Sequence, residues 1–131
     1  MPIVSFTCLL VDDDLDDQEI FCTVLDGIAP SCKCVTAFNG QSALAMLESG
    51  EVTPDIIFLD VNMPLMNGRQ FLIEANQAKL IEDVPVIVLT TSADQQTKTA
   101  VLDLGASQFI TKPDRFSEWE AILKQVLEKS L

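Results

Sequence analysis

The sequence predicts a doubly wound α/β domain, because five short apolar runs alternate with five helical patterns. The runs are apolar almost throughout, which marks a parallel sheet covered on both faces. A length of 131 residues suits a single domain, residues 1–131, with no need of staples. An apolar share of 48% argues for a packed core and against a disordered tail.

The elements follow in order. Residues 6–11 form the first run, which stops abruptly at Asp12-Asp13-Asp14. Phe21, Val24, Leu25 and Ile28 then recur at the spacing of one helix face. Residues 34–38 read as the second strand, and 41–48 as a short helix with Ala43, Leu44 and Leu47 inward. The third run, 55–59, ends at Asp60. Residues 62–68 carry Pro64 and Asn67-Gly68, so they form a loop. A helix starts at about Arg69, with Phe71, Leu72 and Ala75 on its inner face. The fourth run, 85–89, ends at Thr90. The next helix begins at about Asp94, carries Val101 and Leu104, and closes at Gly105. Residues 108–110 are the fifth strand, ending at Thr111-Lys112. Trp119, Ile122, Leu123 and Val126 set the inner face of the last helix.

Composition excludes several functions. Eight basic residues against twenty acidic ones give a net charge of −12. Phosphate backbones repel such a surface, and no Lys/Arg run relieves it, so direct nucleic-acid binding is not expected. The positive partner is expected to be a cation or a basic protein surface. Cys8 and Cys22 fall in strand and helix patterns, where a free thiol acts as a small hydrophobe. Cys32-Lys33-Cys34 has neither a histidine nor a second close cysteine pair to complete a zinc set. No basic segment leads into a long apolar one, and no run approaches the ~20 residues of a membrane span. The cytoplasm is the expected compartment, with no membrane insertion.

Right-handed crossovers bring the C-terminal ends of parallel strands to one edge, where open α/β sheets hold their ligands. That edge collects Asp12, Asp13, Asp60, Thr90 and Lys112. Clustered carboxylates repel one another unless something compensates. Mg²⁺ is the economical compensation, since it takes oxygen ligands from one or two carboxylates together with a phosphate oxygen. A carboxylate can itself accept a phosphoryl group. Asp60, alone at its strand end after four apolar residues, is the candidate nucleophile, and Asp12 and Asp13 are placed to hold metal.

Together these residues resemble the receiver domain of two-component response regulators, in its stand-alone, chemotaxis-regulator-like form. The resemblance covers almost the whole chain. It rests on Leu10-Val11-Asp12-Asp13, Leu59-Asp60-Val61-Asn62-Met63-Pro64 with Gly68, Leu89-Thr90-Thr91, and Phe109-Ile110-Thr111-Lys112-Pro113. It implies a flavodoxin-like sheet of strand order 2-1-3-4-5. It implies Asp60 as phosphoacceptor and Mg²⁺ on Asp12, Asp13, Asp60 and the Asn62 backbone carbonyl. Thr90 and Lys112 would meet phosphoryl oxygens, Phe109 would occupy the aromatic switch position, and Pro113 would follow a bond that is often cis in the family.

Three departures stand out. Phe109 lacks the hydroxyl of the tyrosine often found there, so any switch works by packing. Asn67 stands where aspartate is frequent. Asp14, Asp16 and Asp17 make the first loop unusually acidic, which is read as helix capping and dipole complementarity rather than metal binding. Asn62 and Ser92 flank the expected site and are expected to influence how long a phosphoryl group lasts.

The implied function is a phosphoacceptor module of a two-component or phosphorelay system. On phosphorylation, Thr90 is expected to move and Phe109 to fill the space it leaves, reshaping the face of the fourth helix, fifth strand and fifth helix. The chain contains no histidine, so the phosphoryl group must come from another protein or a small acyl phosphate, and the resemblance implies a histidine kinase or histidine phosphotransfer protein. The end soon after the fifth helix leaves no expected output domain, so output is expected through contact with a downstream protein or onward transfer. The chain is not expected to be an enzyme beyond its own phosphorylation and dephosphorylation. A degenerate receiver that only binds protein is one rival. A phosphatase of the haloacid-dehalogenase type is another, but it expects an acid two positions after the nucleophile, where this chain has Asn62. A weak homodimer through the fourth or fifth helix is left open.

Overall fold

The computed structural model describes residues 5–61, 67–90 and 95–130. Its elements are β1 (Phe6–Val11), α1 (Leu15–Ile28), β2 (Cys32–Ala37), α2 (Gly40–Glu48), β3 (Ile56–Asp60), α3 (Gly68–Gln77), β4 (Val86–Thr90), α4 (Gln95–Asp103), β5 (Gln108–Thr111) and α5 (Phe116–Ser130). The five strands form one parallel sheet in the order β2-β1-β3-β4-β5, the order that the receiver resemblance implies.

Strand alternation divides the interior in two, since successive residues of a strand face opposite sides. Val11, Leu59 and Val88 pack with Leu44 of α2, Phe71 of α3 and Val101 of α4. Leu10, Phe58 and Leu89 pack with Phe21 of α1 and Trp119 and Leu123 of α5. Phe21 centres the second layer, edge-on to Phe58 at 4.8 Å and to Trp119 at 6.0 Å. Every residue of β3 and β4 is buried, which is why these strands read as unbroken apolar runs. The edge strands β2 and β5 are only partly covered.

Local chemistry sets the helix starts. Asp14 caps α1 by accepting from the N–H groups of Asp16 (2.9 Å) and Asp17 (3.1 Å). Asn67 and Gln70 form a capping box at α3, at 3.0 and 3.2 Å. Gly105, at φ +100°, takes the left-handed conformation that closes α4. Among the described residues no helix is long and apolar enough to cross a membrane.

One expectation needs correction. β2 begins at Cys32 and ends at Ala37, because its six residues pair one for one with Phe6–Val11. The Asp12 N–H closes that ladder on the Ala37 carbonyl at 3.0 Å and leaves Phe38 beyond it, 52% exposed. The thiols of Cys22 and Cys34 meet, with the Sγ atoms 2.8 Å apart. Residues two apart on a strand are separated by about 6.6 Å, whereas α1 carries Cys22 onto Cys34. The neighbouring thiol and burial push Cys22 upward, and burial pushes Cys32 up to about 11, so both stay protonated at neutral pH.

Candidate functional site

Residues on strands one, three and five converge through alternation. Asp12, Asp60 and Lys112 each lie two positions past a residue of the α1/α5 layer, namely Leu10, Phe58 and Ile110. Lys112 Nζ donates to Asp12 Oδ2 at 2.8 Å and to Asp60 Oδ2 at 3.3 Å. It donates a third hydrogen bond to Asp17 Oδ2 at 2.9 Å. An ammonium has three donors, and here each meets a carboxylate. The Lys112 side chain is only 6% exposed and that of Asp12 2%.

Asp12 is held on every side. Its N–H bonds the Ala37 carbonyl, its Oδ1 accepts from the Asp14 N–H at 2.9 Å, and its carbonyl accepts from Gln18 Nε2. Gln18 is buried on α1, so the start of that helix grips the site at two points, Gln18 on Asp12 and Asp17 on Lys112.

Burial raises Asp12 from 3.8 to about 6, and the hydrogen bond from Lys112 only partly offsets it. Burial works against the Lys112 ammonium too, but its hydrogen bonds to Asp12 and Asp17 outweigh that and hold it above the ordinary lysine range. Both groups are therefore charged at neutral pH.

Carboxylate oxygens of Asp12, Asp13 and Asp60 lie within 4.8 Å of one another, with Asp13 exposed and the other two buried. Two oxygens on one Mg²⁺ sit about 3–4 Å apart, so small side-chain rotations would bring these onto a hard cation. Oxygen-only donors select such an ion over a soft one.

Thr90 ends β4, fully buried, two positions past Val88 of the α2/α3/α4 layer. Its carbonyl accepts the Lys112 N–H at 2.7 Å, which ties the ends of β4 and β5 together. Phe109 pairs in register with Val88, two residues before Thr90, so Phe109 and Thr90 share one face on adjacent strands. Phe109 is half-buried against the α2/α3/α4 layer, neither a sealed core residue nor an exposed one. Asn62 lies outside the described residues. The bond before Pro113 is trans, a correction to the family expectation. Trans is the lower-energy isomer for X-Pro where nothing enforces cis.

Sequence reasoning missed the engagement of Asp17 and Gln18. Asp14 does cap α1 as expected, but Asp17 also bonds Lys112. A signal was available: Gln18 continues the buried stripe of Phe21 and Leu25 at i, i+3 and i+7, an unusual place for a polar side chain.

A family model described as the response regulator receiver domain matches residues 8–124. The chain belongs to this family, the receiver domains of two-component response regulators. A protein-glutamate methylesterase/protein-glutamine glutaminase of Treponema pallidum (strain Nichols) is 39% identical over 123 residues, covering 92% of this chain and 29% of that protein. The chain thus spans less than a third of that relative's length. Among solved structures, the phosphorylated cyanobacterial phytochrome response regulator RcpA is 28% identical with a TM-score of 0.87, covering 95% of this chain and 93% of that one. The Mn²⁺-bound form of response regulator Rcp1 is 28% identical with a TM-score of 0.84, covering 94% and 95%.

Proposed function

We propose that the chain is a single receiver domain that takes a phosphoryl group on Asp60, with Mg²⁺ held by Asp12, Asp13, Asp60 and the Asn62 carbonyl. The observation that carries this reading is the three-way sharing of Lys112 among Asp12, Asp17 and Asp60 beside an oxygen-only carboxylate cluster. Such a site is built to balance a change of charge. Phosphorylated RcpA and Mn²⁺-bound Rcp1, both close in fold, support the same chemistry here.

In the proposed reaction an Asp60 oxygen attacks the phosphorus of a phosphohistidine or acyl phosphate. A new P–O bond forms, and the donor's imidazole or carboxylate departs with the electron pair of the bond that breaks. The transition state asks chiefly for positioning and charge neutralisation. The metal supplies Lewis-acid stabilisation of the phosphoryl oxygens. Lys112 turns from Asp60 to a phosphoryl oxygen, while Gln18 and the Ala37 carbonyl keep Asp12 in place. Thr90 meets another phosphoryl oxygen and, with Phe109 on the adjacent strand, carries the change outward, because phosphorylation adds about −1.5 to −2 charges at Asp60.

The donor is a histidine kinase or histidine phosphotransfer protein, and the output is contact with another protein or onward transfer. The chain's free thiols suit a reducing compartment, and the cytoplasm is the proposed location. Incubation with radiolabelled acetyl phosphate tests the reading. A label that requires Mg²⁺ and is released by mild base, as an acyl phosphate is, supports it; a label indifferent to chelator contradicts it.

A further inference from the structure

Lys112 bonds one oxygen on each of two carboxylates of the candidate cation cluster, Oδ2 of Asp12 and Oδ2 of Asp60. Its side chain is 6% exposed, so water does not solvate the ammonium freely. Displaced from both carboxylates with no other acceptor, it would become a buried charge lacking a partner, which is costly. Asp17 supplies the remaining acceptor at 2.9 Å, from the first turn of α1.

Asp17 is set firmly. Its N–H is fixed on Asp14 Oδ1 at 3.1 Å, and α1 is anchored through Phe21 on Phe58, the strand that ends in Asp60. Asp17 and Lys112 also line one cavity of about 260 Å³ with Ile20, Pro113 and Trp119, which gives the ammonium room to swing towards α1. Asp16 is its neighbour in the same helical turn, with its N–H on the same cap, yet its carboxylate is not among the described partners of Lys112.

We propose that Asp17 is a positioning residue: it retains the Lys112 ammonium when a divalent cation claims Asp12 and Asp60, so the cation binds without stranding that charge. This rests on the reading of Asp12, Asp13 and Asp60 as metal ligands. Without Asp17, Lys112 leans on Asp12 and Asp60 alone and competes with the cation at full strength.

The test is calorimetric titration of the metal-free chain with MgCl₂, for wild type, Asp17→Asn, Asp16→Asn and Asp17→Glu. Asp17→Asn is expected to weaken Mg²⁺ binding about tenfold, or ~1.4 kcal/mol. Asp16→Asn removes the same charge from the same turn and is expected to change affinity by only about twofold. Asp17→Glu is expected to recover most of the loss, because its carboxylate can still reach Lys112. Chelator-treated Asp17→Asn and Asp16→Asn are expected to unfold at similar temperatures, which separates positioning from folding. Equal weakening by the two Asn variants would reduce Asp17 to part of a general acidic field and overturn the inference. Unchanged or tighter binding by Asp17→Asn overturns it too. A wild type that binds Mg²⁺ and accepts phosphoryl beside an unaffected Asp17→Asn sinks this inference alone; a wild type that takes up no Mg²⁺ sinks the metal reading with it.

Discussion

Gly68 sits against Val61 so closely that a Cβ placed on it would lie 2.7 Å from the Val61 Cα and 2.9 Å from the Asp60 carbonyl oxygen. Both neighbours are backbone and cannot swing aside. The glycine that the sequence motif places after the loop is thus where α3 starts flush against the chain just past Asp60, with its N–H on the Val61 carbonyl at 3.3 Å. Gly68→Ala should destabilise the chain by about 1–3 kcal/mol through this overpacking and should slow phosphorylation by shifting Asp60. Gly27, on α1 with nothing within 4 Å of an added Cβ, is the contrast. Gly27→Ala should stabilise by about 0.5–1 kcal/mol. Urea unfolding of the two variants gives both signs, and similar shifts would contradict the packing account.

Asp12 gives a pH dependence of defined sign in the metal-free chain. Its folded value of about 6 exceeds the ordinary 3.8, so between the two the folded chain binds a proton that the unfolded chain releases. Its contribution to stability is complete below 3.8 and is lost as pH rises through about 6. Asp12→Asn cannot ionise. In chelator, its stability relative to wild type should improve on the order of 1–3 kcal/mol from about pH 4 to about pH 7.5. Urea melts of both proteins at the two pH values measure it, and a constant difference would contradict it.

Lys112 balances buried negative charge, so Lys112→Met should leave Asp12 and Asp60 without their cation. In chelator the expected cost is on the order of 3 kcal/mol. Saturating Mg²⁺ should stabilise this variant more than it stabilises wild type, because the added cation restores the balance. Thermal melts with and without Mg²⁺ check this, and an equal Mg²⁺ effect on the two proteins would contradict it.

The sheet was legible because burial on both faces left β3 and β4 as unbroken apolar runs, and each run ended on a residue that could be named. The pattern over 34–38 starts the edge strand β2 two residues late and ends it one late, since a half-covered strand such as Cys32–Ala37 carries no sharp apolar boundary. The gathering of Asp12, Asp13 and Asp60, with Lys112 beside Asp12 and Asp60, was legible from strand ends alone. Asp17 was not. Its approach to Lys112 depends on how α1 crosses the sheet, and an acidic residue in a first helical turn already has a sufficient local reason to be there. The isomer before Pro113 also lay beyond reach, because it is decided by local context and not by the Lys-Pro pair.

The claim on which the rest depends is that Asp60 accepts a phosphoryl group. Wild type and Asp60→Asn are incubated with acetyl phosphate and Mg²⁺, and their intact masses are recorded. The account predicts a gain of one phosphoryl group in wild type, abolished by chelator, and none in Asp60→Asn. An equal gain in Asp60→Asn, or none in wild type, would contradict it.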